Sequence, residues 1–140
     1  METRQAASPP LYYFVVSDID WIRKFCLSFA EVTENMQWGE DLCFKVRGKI
    51  FTIVDLSKGK QLPICFKCTP EDFQRLLEIE GIAPAPYVGR YKWVLLERAG
   101  VLTGPETKDL IRQSYELVVA KAPRKKIARR KAISKRRRAK

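Results

Sequence analysis

Between Lys121 and Lys140 stand twelve lysines and arginines and no acidic residue. The full chain has 27 basic and 16 acidic residues among 140, so the first 120 positions hold 15 basic against 16 acidic groups and are nearly neutral. A segment this charged and this poor in apolar side chains buries too little surface to offset the entropy of ordering it. Any core must therefore come from the residues before this run, and the run reads as a disordered interaction tail. The whole chain is 46% apolar and 11% aromatic, and the roughly 120 residues ahead of the tail suffice for one domain without disulfide or metal staples.

No apolar stretch approaches the ~20 residues that cross a bilayer, and Met1 to Pro10 lacks the basic-then-apolar layout of a secretory signal. The expectation is a cytoplasmic protein whose four cysteines are reduced thiols.

The polar start ending in Pro9-Pro10 is read as part of a leader over residues 1–16. Ser17 resembles a helix N-cap, and Ile19, Ile22, Phe25, Cys26 and Phe29 recur at helical spacing, which predicts a helix over roughly 18–33. After a polar break, Leu42 to Arg47 and Ile50 to Val54 flank Gly48-Lys49 and predict a β-hairpin. A glycine-bearing loop from Ser57 to Gln61 leads to a third strand over Pro63 to Cys68. Thr69-Pro70-Glu71-Asp72 combines a cap, a first-turn proline and acids that complement the helix dipole, predicting a second helix that ends near Gly81. Pro84 and Pro86 exclude helix, Lys92 to Leu96 suits a strand, and Thr103, Pro105 and Glu106 open a third helix. The expected fold is α+β, in the order α-β-β-β-α-β-α with one or two strands between the last two helices. Its antiparallel sheet is covered by helices on one side, and the domain spans 17–121 ahead of a basic tail over 122–140.

Gly48-Lys49-Ile50-Phe51, the strand ending in Lys67 before Thr69-Pro70-Glu71, Pro84-Ala85-Pro86-Tyr87-Val88-Gly89, Trp93 and Ser114-Tyr115 occur together in collinear order. Over about residues 17–121 this set resembles the MmcQ/YjbR family. The resemblance implies a bacterial, CyaY-like α+β fold with a double-wing DNA-binding arrangement, in which β-hairpins act as wings. Members often carry an acidic-Pro-Phe-Gly stretch before the first strand, and here the matching region reads Met36-Gln37-Trp38-Gly39-Glu40. The basic tail lies outside the family pattern, so its role is argued from charge alone.

The tail groups Arg124, Lys125 and Lys126, then Arg129, Arg130 and Lys131, then Lys135, Arg136, Arg137 and Arg138. Such clusters track a phosphate backbone and gain affinity from released counterions. A solvated solubility segment and a membrane-surface anchor are the other readings, and the missing apolar face argues against the anchor. Phosphate contacts position a protein without reading sequence, so specificity would fall to the folded domain. There Lys45, Arg47 and Lys49 surround the Gly48 turn as a first wing, and Lys58 and Lys60 flank Gly59 as a second. The alternative is an ordinary lysine-studded sheet edge. Arg90 and Lys92 interleave with Tyr87, Tyr91 and Trp93 in a pattern that can stack on bases, although core packing of Tyr87 and Trp93 is the stronger reading, as it is for Trp21 and Trp38.

Cys65 and Cys68 have metal-ligand spacing without a second pair or any histidine, so no metal or cofactor is expected. The same lack of histidine and of a phosphate-cradling glycine loop argues against an enzyme, and no catalytic residue is assigned. The leading expectation is a non-enzymatic, nucleoid-associated DNA-binding protein, with RNA as another ligand. The alternative is a protein-interaction adaptor that its tail localises to nucleic acid or ribosomes.

Overall fold

The computed structural model describes residues 11–122, with side chains from residue 19 onward. The tail clusters from Arg124 to Arg138 lie outside the described residues. Helix α1 spans Leu11–Leu27, and three strands follow, β1 (Val32–Gln37), β2 (Asp41–Val46) and β3 (Lys49–Asp55). A 3-10 segment, Leu56–Gln61, precedes β4 (Ile64–Lys67) and α2 (Pro70–Leu76). Then come β5 (Ile82–Pro84), a 3-10 turn at Gly89–Tyr91, β6 (Trp93–Leu96) and α3 (Gly104–Lys121). The six strands form one antiparallel sheet in the order β1-β2-β3-β4-β6-β5.

The start signals read in the sequence act as caps. Thr69 Oγ1 accepts from Asp72 N at 3.2 Å, and Thr103 forms a reciprocal capping box with Glu106. The first helix differs from its expected bounds at both ends. It begins at Leu11, so residues 11–16 are helical rather than part of a leader, and Ser17 lies inside the helix. It stops at Leu27 because the segment expected as its last turn and a polar break contains β1. That strand is polar and largely exposed because it is an edge, where polar side chains discourage pairing with other chains. The other edge, β5, ends on Pro84, which an edge strand tolerates because its missing N–H leaves no ladder bond broken.

Strand alternation divides the sheet into two faces. One face carries Leu42, Phe44, Val54, Ile64, Phe66, Val94 and Leu96, all buried, and packs against Ile22 and Cys26 of α1, Leu76 of α2 and Leu110, Ile111 and Val118 of α3 in a single core. The facing residues Cys43, Ile53, Cys65 and Leu95 stand outside that core. Helices thus cover one side of the sheet.

Between β2 and β3 the register shifts at Phe44/Lys45, leaving Phe51 as the extra residue. The bulge turns Phe51 into the core, where its ring meets Phe29 and Tyr115 edge-on at centroid distances of 6.2 and 5.4 Å. Ser114 of α3, fully buried, donates to the Phe51 carbonyl at 2.6 Å and accepts from Lys67 N at 2.9 Å. One hydroxyl therefore pins the last helix to two central strands.

Candidate nucleic-acid interface

The β2–β3 connection has two residues, Arg47 at φ +52° and Gly48 at φ +82°, between the pair Val46 and Lys49. Two left-handed residues make the tight turn whose twist suits a hairpin, one position earlier than the sequence suggests. Lys49 is exposed as the first residue of β3, and Lys45, opposite Ile50, is half-buried on the helix-free face. Arg47 is committed elsewhere. Its Nε and Nη2 donate to Glu31 Oε1 and Oε2 at 3.0 and 2.8 Å, and its side chain is only 12% exposed. This fork ties the hairpin turn to the residue before β1 and holds its guanidinium off the list of free phosphate contacts.

The same end of the sheet gathers cations that sequence reasoning did not join to the hairpin. Lys67, at the end of β4, donates from Nζ to the Tyr91 carbonyl at 2.9 Å. Burial, then the charge of Lys121 at the end of α3, lowers its pKa. The last helix thus delivers its C-terminus beside the hairpin end. The Lys92 ammonium lies 5.1 Å from the Phe73 ring centre, and the Arg90 guanidinium covers Tyr91 at 4.8 Å, an exposed stacked pair.

Lys58 and Lys60 are exposed, but they follow β3, whereas the Gly48 turn precedes it. The strand's seven residues place roughly 20 Å between the two groups at ~3.3 Å per residue. The structure therefore does not bring the two expected wings together. Lys58 instead lines the same cavity as Asp41, Asp55 and Glu97.

The aromatic residues divide unexpectedly. Trp21 packs against the core with Phe25, and Trp93 is half-buried, but Trp38 is 68% and Tyr87 98% exposed. Both were expected inside. Each occupies a left-handed backbone position, at φ +50° and +68°, in a turn that carries its ring out over the sheet's open face.

Cys65 and Cys68 point to opposite faces of the sheet, Cys68 into the core and Cys65 away from it, so the CxxC spacing does not converge on one point. Among the described residues no three histidine, cysteine or acidic side chains form a metal-binding group. Burial pushes the thiols of Cys26, Cys65 and Cys68 up to about 12, and raises that of Cys43 in the same direction. At pH 8 the thiolate fraction of those three is on the order of one in ten thousand. Iodoacetamide at pH 8 should accordingly leave the native chain essentially unlabelled over minutes and modify all four cysteines after denaturation, as read by mass. Rapid native labelling of Cys65 would contradict this placement.

Fold and surface define a small α+β protein with one helix-free sheet face and a cluster of cations at one end of the sheet. The YjbR family model matches residues 27–117, and the chain belongs to that family. Its fold is similar to that of the crystal structure of Deinococcus radiodurans protein DR2400, which carries a DUF419 domain, with a TM-score of 0.67 and 24% identity over 74% of this chain and 79% of that one. No curated protein matches the chain in sequence. No described helix is long and apolar enough to cross a membrane.

Proposed function

We propose that this YjbR-family chain is a non-enzymatic DNA-binding protein whose Gly48 hairpin end and basic C-terminal segment engage one stretch of duplex. The supporting observation is the placement of Lys121. α3 crosses the sheet with Ser114 bonded to both the Phe51 carbonyl and the Lys67 amide and ends at Lys121, so its last turns lie toward the end carrying Lys45, Lys49 and Lys67, in keeping with the lowered pKa of Lys67. A phosphate backbone running past this end would meet the hairpin lysines first and the tail cations after, with affinity set by counterion release. Arg90, stacked on Tyr91, adds a planar cation at the same side. Lys58 and Lys60 stand at the acidic end and take no part. On this reading the domain is cytoplasmic and nucleoid-associated, and the tail supplies sequence-independent affinity.

Joint Lys45→Ala and Lys49→Ala substitution in the full chain tests the hairpin. Two lost phosphate contacts flatten the log-log salt dependence of duplex binding by about 1.8, at ~0.9 per contact. Replacing Lys58 and Lys60 in the same way leaves the slope unchanged. Equal slopes for both double variants and the parent would transfer the function to the tail alone and favour the adaptor reading. Competition with duplex RNA of the same length reads the preference between the two nucleic acids.

A further inference from the structure

The helix-free face of the sheet is a basin with an apolar floor and an acidic end. Register sets Ile53, Cys65 and Leu95 side by side on neighbouring strands β3, β4 and β6, and alternation points all three away from the core. They floor a cavity of about 840 Å³, a volume typical of small-molecule sites. Trp38 rises from the β1–β2 turn on one side and Tyr87 from the β5–β6 connection on the other. Their exposure leaves two aromatic walls with nothing packed on them among the described residues, and both rings are held by left-handed backbone of the kind that clusters at ligand clamps.

One end of the basin is charged. Asp41 and Asp55 are direct cross-strand partners on this face, an arrangement that like charges disfavour. Glu97, two residues beyond Leu95, joins them at the rim. Asp55 Oδ1 accepts from Ser57 N and Oγ, at 2.9 and 2.6 Å, but none of the three carboxylates forms an ion pair among the described residues. Lys58 is the cation on the lining, so three carboxylates face one ammonium. Burial, and then the charge of Asp55, raises the pKa of Asp41, the direction expected where a carboxylate has a like charge opposite it and no cation paired with it.

We propose that this basin binds a hydrophobic cation, an aromatic or branched aliphatic body lying on Ile53, Cys65 and Leu95 between Trp38 and Tyr87, with one protonated amine against Asp41, Asp55 and Glu97. Floor and walls supply apolar contact, and the rings attract the charged end through their faces. The acidic rim repels a phosphate backbone, so this site is separate from the cationic end of the sheet and takes a different class of ligand.

A backbone-amide NMR titration of the full chain with 1-naphthylmethylammonium, and in parallel with neutral 1-naphthalenemethanol, tests the proposal. The cation should bind saturably, shift the resonances of residues 38, 53, 65, 87 and 95, and bind at least about tenfold more tightly than the alcohol. Joint Asp41→Asn, Asp55→Asn and Glu97→Gln substitution removes all three rim carboxylates with little change of shape and should erase that preference. Trp38→Ala, at an exposed position with no core contact, should weaken both probes. Equal affinity for the two probes, shifts confined to other residues, or a preference that survives loss of all three carboxylates would each overturn the proposal. Displacement of the chain's own 123–140 resonances by the probe, or competition that grows with protein concentration, would give the face to the basic tail or to a second copy and overturn it equally.

Discussion

Ser114→Ala lowers the stability of the domain by about 2–4 kcal/mol, an effect far larger than loss of one small polar group from a surface helix. The hydroxyl is fully buried, donates to the Phe51 carbonyl and accepts from the Lys67 amide. Alanine leaves both backbone groups without a partner in the interior, at roughly 1–3 kcal/mol for each orphaned group. The loss falls where the bulge in β3 has already taken Phe51 out of regular pairing, so no neighbouring strand is placed to replace it. For a domain of about 100 residues each kcal/mol moves the thermal midpoint by about 4–8 °C, so the expected drop is of order 10–25 °C by circular dichroism. Asp109→Ala, on the exposed side of the same helix, serves as the comparison and should stay within about 0.5 kcal/mol of the parent. A Ser114→Ala midpoint within 3 °C of the parent would show that α3 is held by its apolar face alone.

Replacing Arg136, Arg137 and Arg138 together with glutamine has the opposite profile, a large change in binding and none in stability. If all three meet phosphates, the slope of log affinity against log salt flattens by about 2.7, at ~0.9 per neutralised phosphate. Between 50 and 200 mM salt the parent then loses affinity about 40-fold more than the variant does. The thermal midpoint stays fixed, because the core draws on α1, the sheet, α2 and α3 and its last buried member is Val118. An unchanged slope would remove the electrostatic account of the tail.

Much of the fold is legible in the sequence because its signals are local. Thr69-Pro70-Glu71-Asp72 and Thr103 with Glu106 specify their helix starts through side chains that bond the next turn. The β2–β3 hairpin follows from two β-rich runs around Gly48, and the one-residue displacement of its turn reflects an arginine taking a left-handed position that glycine or asparagine usually fills. The first strand escapes notice because Val32 to Gln37 is an exposed edge whose stability comes from pairing with β2 rather than from apolar alternation. Pro9-Pro10 immediately before Leu11 carries the helix-start signal that a reading from Ser17 passes over.

The candidate surface is less legible, since it depends on contacts distant in sequence. Arg47 belongs among free cations until Glu31, sixteen residues earlier, takes both its donors. Lys67 joins the cationic end only because β4 pairs antiparallel with β3, which sets the end of β4 toward the hairpin. Lys58 and Lys60 mimic a second wing in one dimension, and the length of β3 separates them from the first in three. Aromatic residues give no one-dimensional sign of burial, so Trp38 and Tyr87 pass for core until their turns carry them outward. The open face itself can be anticipated only once register shows that Ile53, Cys65 and Leu95 share a side opposite the helices.

The most direct test of a DNA-engaging domain is a salt titration of duplex binding by the full chain and by residues 1–121, from 20 to 300 mM salt. The account predicts weaker but saturable binding by the shorter chain at low salt, with a shallower slope that the Lys45→Ala and Lys49→Ala pair flattens further. Absence of binding by residues 1–121 at every salt concentration, with the full chain still binding, would contradict it and leave the domain as an adaptor attached to a polycation.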